Sequence, residues 1–337
     1  MPTTLPALTA SDFDSDQEVR WCPGCGDFAV LAYLKQALAQ LGLPREKVVF
    51  VSGIGCSSRL PYYLNTYGFH TISGRAPAVA TGLKVVRPDL SVWVVTGDGD
   101  GLGAGMAHLM HALRRNVGIK ILLFNNEVSG LSKGQFSPTT RIGTVTRTSR
   151  DGALDPPVRP LAVALAAEAS FVARTIDVDG DHLAATLKRA AAHPGSAFVE
   201  IYQNCKIFND GVFEYATDLG TKADNVLYLE HGQPLLYGKD RHIGLRLNGL
   251  RLESVELNGP GPRPTVLTHD ETAADSTLAS LLARATAPDL PECLGVLRCV
   301  TRPTYETYLA RQAESRPRLS GGGLDDLFAS EDMWEVE

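Results

Sequence analysis

A glycine-rich stretch with two carboxylates, TGDGDGLGAG at residues 96–105, is the first part of the sequence that suggests chemistry. It lies between an apolar run typical of a buried strand and a segment with helical spacing. Glycine lets the backbone approach a ligand, and a helix N-terminus presents free N–H groups, so the loop predicts a phosphate site. No Gly-Lys-Ser/Thr follows, which excludes a Walker P-loop. Because Asp98 and Asp100 would repel phosphate, the loop also predicts a bridging Mg²⁺ ion.

Two asparagines, Asn125 and Asn126, stand at the end of the next apolar run, residues 119–127. Neighbouring parallel strands bring their C-terminal ends to the same edge of a sheet, where such folds bind ligands. The amide oxygen of Asn126 could then bind the same metal ion as Asp98. A bare tight turn beside an ordinary strand-end asparagine is the alternative interpretation.

The stretch WCPGCGD, residues 21–27, places Cys22 and Cys25 three positions apart with proline and glycine between them. By itself this pair fits a zinc ion, a reversible disulfide or an iron–sulfur cluster. In a reducing compartment, the six cysteines of the chain are expected to be thiols, metal ligands or catalytic groups rather than structural disulfides. Cys293 and Cys299 match no motif and are predicted to be free core thiols.

These residues need a scaffold that brings distant loops together, and apolar runs alternate with helical spacings along the chain. Such alternation predicts an α/β fold with a doubly wound, mostly parallel sheet. The predicted helices are residues 27–42, 101–116, 159–169 and 181–193. The predicted strands are 119–127, 171–177 and 197–202, together with 47–56 and 91–101, each of which runs into a glycine loop. A long loop is expected at 128–160, whereas residues 206–300 give no clear pattern.

Length and composition restrict the class of protein. With 337 residues, 44% of them hydrophobic, the chain can bury a large core. A net charge of −6 gives no indication of nucleic-acid binding, and no apolar run reaches the roughly 20 residues of a membrane span. The N-terminus lacks the features of a signal peptide, so a cytoplasmic location is expected. The predicted organisation is a flexible arm at 1–20, one domain at 21–300 with an extension from about 206, and a C-terminal helix and acidic tail at 301–337.

The glycine loop and the asparagines together carry a family resemblance. Gly-Asp-Gly followed by Asn-Asn at this spacing resembles the thiamine diphosphate fingerprint. In enzymes with that fingerprint, an Asp, an Asn and a backbone carbonyl two residues later hold Mg²⁺ on the diphosphate. By this resemblance the three ligands would be Asp98, Asn126 and the carbonyl of Val128, in the diphosphate-binding half of a thiamine diphosphate-binding fold.

Further motifs extend the resemblance over about residues 20–215 and again over 229–238. Here the chain is similar to the beta subunit of 2-oxoacid:ferredoxin oxidoreductases, and LSKGQ and IFND favour the 2-oxoglutarate type. The motifs that carry the resemblance are CPGCG, GIGCSSR, GRAPAVATG, GDGDGLGAG, NNEVSGLSKGQFSPT, NCKIFND and LEHGQPLLYG. Ser129 and Ser73 depart from it, since relatives usually carry Tyr and His at these positions.

The resemblance implies the site residues. The four expected ligands of one 4Fe–4S cluster are Cys22, Cys25, Cys56 and Cys205. The expected cofactor-binding residues are Gly97, Asp98, Gly99, Asp100, Asn126, Val128, Gly130, Cys56 and Arg75. Arg59 and Lys133 are expected to contact substrate. A buried guanidinium at Arg59 would grip a second carboxylate, which favours 2-oxoglutarate over pyruvate. The alternative is that Arg59 pairs with a carboxylate of the partner subunit or faces solvent.

The resemblance also implies an activity. A 2-oxoacid, coenzyme A and oxidised ferredoxin would give acyl-CoA, CO₂ and reduced ferredoxin, with thiamine diphosphate, Mg²⁺ and a 4Fe–4S cluster as cofactors. An alpha subunit would complete the site as a heterodimer, and this chain alone is expected to be inactive. Three alternatives remain: a member acting on pyruvate or branched-chain 2-oxoacids, a thiamine-dependent decarboxylase or synthase without electron transfer, and a non-enzymatic zinc- or cluster-binding assembly protein.

Overall fold

The structure is a computed structural model that describes residues 8–259, 264–315 and Phe328. The strands are β1 (Val48–Ser52), β2 (Tyr67–His70), β3 (Ser91–Gly97), β4 (Ile119–Asn125), β5 (Phe171–Ile176), β6 (Ala197–Tyr202), β7 (Val226–Leu229), β8 (Leu236–Tyr237), β9 (Ile243–Asn248), β10 (Arg251–Glu256) and β11 (Glu292–Cys299). The α-helices are α1 (Asp27–Leu41), α2 (Ala76–Val86), α3 (Met106–Arg114), α4 (Pro160–Ala166), α5 (Gly180–Ala192), α6 (Glu214–Thr217), α7 (Lys222–Asn225), α8 (Thr277–Leu282) and α9 (Tyr305–Ser315).

Eight strands form one sheet in the order β2-β1-β3-β4-β6-β5-β11-β7. All neighbouring strands in it are parallel except β5 and β11, which are antiparallel. Strands β8, β9 and β10 form a separate antiparallel sheet. The predicted mostly parallel α/β architecture is therefore confirmed.

Alternating side chains on the central strands explain why both faces of the sheet are covered. On β3, Val92 and Val94 belong to one buried cluster, which also contains residues of α2, α3 and α4. Trp93 and Val95 point the other way into a second cluster with residues of α1 and α5. Because successive strand residues face opposite sides, one continuous apolar run supplies both layers of core.

The predicted elements agree with the structure to within a few residues at most ends. The strand predicted within 91–101 ends at Gly97, where the predicted glycine loop begins, and a π-helical turn over Asp100–Ala104 leads into α3. No helix or strand lies between β4 and α4, where the long loop was predicted. Gly42 ends α1 in a left-handed conformation, with φ of 65°, as its position predicted.

Two regions differ from the sequence-based expectation. The region after residue 206, which gave no clear pattern, contributes β7 and β11 to the main sheet. Residues 8–20 of the predicted flexible arm lie on the body of the protein, because the Phe13 side chain is fully buried and its carbonyl accepts from the Asn65 N–H (2.9 Å). Residues 1–7 and the acidic tail lie outside the described residues, except Phe328.

Within the described residues, no helix has both the length and the apolar composition needed to cross a membrane. The cytoplasmic location stays a prediction.

Candidate active site

One cavity lies at the C-terminal edge of the main sheet, where β1, β3, β4 and β6 end side by side. The loop after each of the first three strands contributes to its lining, and Gln203 enters it directly after β6. Asp98, Asn126 and Val128 all line this cavity, which we name the diphosphate cavity. The parallel sheet thus brings the predicted metal-binding residues together from two separate loops.

Asp98 is a buried carboxylate, only 2% exposed, in the loop that leaves β3. Its Oδ2 atom accepts hydrogen bonds from the hydroxyls of Ser137 and Thr139, both at 2.6 Å. Burial raises the pKa of Asp98 to about 6, although these hydrogen bonds oppose the shift. A cation beside the carboxylate would stabilise its ionised form, which fits a metal-binding role.

Asn126 has an amide whose orientation is set by its neighbours. Its Oδ1 atom accepts from the N–H of Val128 (3.2 Å), and its Nδ2 atom donates to Gln203 Oε1 (2.7 Å). The carbonyl of Val128 accepts from the N–H of Gly130 (3.1 Å). A carbonyl or amide oxygen has two lone pairs, so both oxygens keep acceptor capacity for a cation. One carboxylate and two neutral oxygens form a donor set of the kind that Mg²⁺ takes in proteins, and they fit the predicted ion.

Asp100 lines the same cavity, but its carboxylate is committed to the fold. Its Oδ2 atom accepts from the hydroxyl of Thr96 (2.6 Å), and its Oδ1 atom accepts from the Gly74 N–H (2.7 Å) and the Ser73 hydroxyl (3.1 Å). Asp100 therefore fixes the loop before α2 against the glycine loop. The exposed Arg75 side chain donates to the Ser73 carbonyl (2.9 Å) and does not line the diphosphate cavity.

A second cavity is lined by the four predicted cluster ligands, and we name it the cysteine cavity. Those residues are Cys22, Cys25, Cys56 and Cys205. The Cβ that any residue other than glycine would carry at position 130 would lie 3.6 Å from Cys205 Sγ and 3.8 Å from Cys56 Sγ. The loop after β4 therefore lies beside these sulfur atoms, at a distance where a Cβ would make ordinary van der Waals contacts.

Local structure explains how cysteines from three parts of the chain meet. The Cys25 N–H donates to the Cys22 carbonyl (3.0 Å), which closes a tight turn. Gly26 must be glycine, because a Cβ there would collide with the Asp177 carboxylate. The indole of Trp21 donates to the Cys56 carbonyl (2.7 Å), and the Gly26 N–H donates to the Asn204 carbonyl (3.1 Å). These two bonds tie the N-terminal turn to the other cysteine loops.

Burial and mutual proximity oppose ionisation of the thiols. Burial raises the pKa of Cys56 to about 11, with Asp27 and Cys205 adding to the shift. The pKa of Cys25 is raised further, chiefly by burial and then by Asp27. Iron cations would reverse this preference, because metal coordination deprotonates a thiol outright.

Within the described part of the chain, no three His, Cys, Asp or Glu side chains converge closely enough to hold a metal ion. A 4Fe–4S cluster requires a wider spacing between its ligand side chains than a single metal ion does, because each of the four thiolates binds a different iron. Four cysteines around one cavity fit that requirement.

Arg59 and Lys133, the predicted substrate contacts, line the cysteine cavity and not the diphosphate cavity. The Arg59 guanidinium donates to the carbonyl of Arg20 (3.0 Å), and its charge opposes the raised pKa of Cys56. Lys133 is exposed and adopts a left-handed conformation, with φ of 69°. This placement favours an electrostatic role beside the cysteines over contact with a substrate in the diphosphate cavity.

The two cavities share a wall. The residues that line both are Asp27, Cys56, Asn126, Gly130, Leu131 and Gln203. Sequence reasoning missed Asp27 and Gln203, whose only signal was their position within two residues of motif cysteines. Asp27 is 1% exposed, its Oδ1 atom has no hydrogen-bond partner among the described residues, and burial raises its pKa to about 7.

Comparison with known proteins agrees with this geometry. Residues 53–201 match the family model described as thiamine pyrophosphate enzyme, C-terminal TPP binding domain. The chain is 46% identical over 341 aligned residues to the 2-oxoglutarate oxidoreductase subunit KorB of Mycobacterium tuberculosis, and the alignment covers 100% of this chain and 91% of that relative. This chain belongs to the beta-subunit family of the 2-oxoacid:ferredoxin oxidoreductases. It is a subunit of an oxidoreductase, which excludes the non-enzymatic assembly protein.

Two further matches support the membership of this chain in the family. The 2-oxoacid:ferredoxin oxidoreductase 1, subunit beta, of Aeropyrum pernix is 47% identical over 190 residues, which cover 56% of this chain and 60% of that one. A solved 2-oxoglutarate:ferredoxin oxidoreductase from Magnetococcus marinus, with 2-oxoglutarate, coenzyme A and succinyl-CoA bound, superposes with a TM-score of 0.77. The two chains are 32% identical, and the superposition covers 97% of each.

Proposed function

We propose that this chain is the beta subunit of a 2-oxoglutarate:ferredoxin oxidoreductase that holds thiamine diphosphate, Mg²⁺ and one 4Fe–4S cluster. The observation that carries the proposal is the wall shared by the diphosphate cavity and the cysteine cavity. An oxidative decarboxylation must deliver electrons from the thiamine site to an acceptor. A common wall keeps that transfer within a few side chains.

The diphosphate cavity holds the cofactor through the metal ion. Asp98 supplies the anionic ligand, and Asn126 and the Val128 carbonyl supply neutral oxygens on the opposite loop. Ser137 and Thr139 hold the Asp98 carboxylate in place by donating to one of its oxygens. When bound, thiamine diphosphate supplies the electron sink for decarboxylation, and the protein supplies its position.

The cysteine cavity holds the cluster through four thiolates. Cys22 is exposed at the surface, whereas Cys56 and Gly130 belong to the wall shared with the diphosphate cavity. The cluster site therefore reaches from the thiamine site to the outside of the subunit. That arrangement suits electron delivery to a separate carrier protein, and we identify the carrier as a ferredoxin.

The substrate assignment rests on the relatives. The Mycobacterium tuberculosis relative is named for 2-oxoglutarate, and the Magnetococcus marinus enzyme was solved with 2-oxoglutarate, coenzyme A and succinyl-CoA. Both similarities extend over nearly the whole of this chain. We therefore assign 2-oxoglutarate and coenzyme A as substrates, with succinyl-CoA and CO₂ as products.

The proposed assembly includes an alpha subunit. The relatives are named as subunits, and the matching family model describes the C-terminal TPP binding domain of a thiamine pyrophosphate enzyme. The carboxylate that thiamine enzymes place on the aminopyrimidine ring is assigned to the alpha subunit. Neither subunit alone is then expected to turn over 2-oxoglutarate.

The test is anaerobic co-expression of this chain with the alpha subunit from its own genome. We expect the purified complex to contain iron and acid-labile sulfide, and to reduce ferredoxin only with 2-oxoglutarate, coenzyme A and thiamine diphosphate present. Each subunit alone is the control. Decarboxylation without ferredoxin reduction would identify a thiamine enzyme without electron transfer, and a preference for pyruvate would overturn the substrate assignment.

A further inference from the structure

Gln203 occupies the boundary between the two cavities. It follows β6 directly, and its backbone N–H donates to the carbonyl of Asn125 (2.9 Å), which extends the pairing of β6 with β4. Its side chain is 2% exposed and lines both the diphosphate cavity and the cysteine cavity. A buried amide needs hydrogen-bond partners for its oxygen and its nitrogen.

Those partners lie on opposite sides of the shared wall. The Oε1 atom of Gln203 accepts from Asn126 Nδ2 (2.7 Å), on the metal side. The Nε2 atom donates to Cys25 Sγ (3.3 Å), on the cluster side, and to the carbonyl of Asn204 (2.7 Å). All three interactions are made by one planar amide group, so its orientation depends on contacts from both sides.

The direction of this hydrogen-bond chain is determined by a backbone group. The N–H of Val128 donates to Asn126 Oδ1, so Nδ2 of Asn126 must face Gln203. Gln203 must then present its oxygen to Asn126 and its NH₂ group to Cys25. A reversed amide would set two donors against each other and would leave an oxygen facing the Asn204 carbonyl.

Two consequences follow for the cofactors of the proposed function. Gln203 accepts a hydrogen bond from Nδ2 of Asn126 and thereby keeps Oδ1 of Asn126 directed at the metal position. Residues that hydrogen-bond to a metal ligand generally orient that ligand in this way. An N–H donated to a ligand sulfur stabilises the more negative, reduced cluster, so it raises the reduction potential.

We propose that Gln203 is a positioning residue that couples the two cofactor sites: it orients Asn126 toward Mg²⁺ and raises the reduction potential of the cluster through Cys25. The proposal rests on the proposed function, because it requires both cofactors in their assigned places. It adds a residue that acts on both sites without binding either metal.

The test compares Gln203→Leu with the wild-type alpha–beta complex in two measurements that do not depend on turnover. Calorimetry gives the Mg²⁺-dependent affinity for thiamine diphosphate, and an anaerobic redox titration followed by electron paramagnetic resonance gives the cluster midpoint potential. We expect the variant to bind thiamine diphosphate roughly tenfold to a hundredfold more weakly. We also expect its midpoint potential to shift to a more negative value. The same substitution at the exposed Gln40, whose side chain accepts from Lys188 (2.8 Å), should change neither quantity.

Gln203→Glu separates the two roles and also covers the case in which the Leu variant does not assemble. It keeps an oxygen that can accept from Asn126, but it loses the N–H donated to Cys25 and adds a carboxylate, and both changes lower the reduction potential. We expect near-normal thiamine diphosphate affinity together with a more negative midpoint potential. If the Glu variant leaves the potential unchanged, or loses affinity as far as the Leu variant, the coupling role is refuted. A wild-type complex without a cluster signal or thiamine binding would instead refute the proposed function, and this inference with it.

Discussion

The role of Asp98 gives the sharpest test of the candidate site, through the substitution Asp98→Asn. The carboxylate is 2% exposed and accepts from two hydroxyls, which an asparagine oxygen could still do. The substitution therefore keeps the shape and removes the charge. Removing one partner of a buried charge pair costs about 3–5 kcal/mol, which corresponds to roughly two to four orders of magnitude in affinity. We expect a loss of this size in Mg²⁺-dependent binding of thiamine diphosphate.

The pH dependence supplies an independent signature. Burial raises the pKa of Asp98 to about 6, so below that pH the carboxyl is neutral in the metal-free protein. Protons then compete with Mg²⁺, so wild-type affinity at one pH unit below 6 should be about tenfold lower than at a pH well above 6. Asp98→Asn has no titrating group at this position and should lose this pH dependence.

The assay is calorimetric titration of the alpha–beta complex with thiamine diphosphate at fixed Mg²⁺ between pH 5 and pH 7.5, values we choose to bracket the pKa of Asp98. The matched control is Asp100→Asn in the same loop. The carboxylate of Asp100 is committed to Thr96, Ser73 and Gly74, so its loss should lower thermal stability and change affinity far less. Retention of wild-type affinity and pH dependence in Asp98→Asn would refute the metal role of Asp98.

Three other predictions test the remaining features. Cys205→Ser should lower the iron content and stop ferredoxin reduction, because a hydroxyl is a harder ligand than a thiolate. The control, Cys299→Ser, should do neither. Equal iron content in the two variants would contradict the ligand assignment. Arg59→Met should keep the ratio of kcat/KM for 2-oxoglutarate to kcat/KM for pyruvate within about twofold of the wild-type ratio, since Arg59 lies in the cysteine cavity. A selective loss of roughly tenfold or more in kcat/KM for 2-oxoglutarate would establish substrate contact. Arg174→Met should lower the free energy of unfolding, measured with a denaturant, by about 3–5 kcal/mol, because it leaves the buried carboxylates of Glu200 and Glu292 without their cationic partner. A decrease below about 1 kcal/mol would show that the pairing contributes little to stability.

The fold was predictable where local patterns are strong. The runs that became β3, β4 and β6 are mostly apolar and almost entirely buried, and the first two of them end in glycine or asparagine loops. Such runs are typical of strands covered on both faces. Strand β2 was not predicted, because all four of its residues are exposed and it lies at the sheet edge, where it pairs with β1. Strand β11 pairs with β5 and β7, far away in sequence, and no local pattern marks that partnership.

The chemical character of the site was also readable from residue types. An acidic glycine loop and a strand-end asparagine predicted a metal-bridged phosphate, because few other ligands suit that combination at a sheet edge. The assignment of four cysteines to one cluster needed the family resemblance, since Cys56 and Cys205 carry no recognisable spacing between them. The role expected for Arg59 at the substrate depended on where its loop runs, which spacing does not reveal.

The sequence by itself determined the alternation of strands and helices and the residue types that could bind a metal ion, because periodicity and ligand chemistry are local properties. Only the tertiary structure decided which of these groups are neighbours. It committed Asp100 to Ser73 and Gly74, moved Arg59 to the cysteines, and placed Gln203 between Asn126 and Cys25. Each of these contacts joins different loops at one edge of the sheet, so it depends on the order of the strands, which no single stretch of sequence contains.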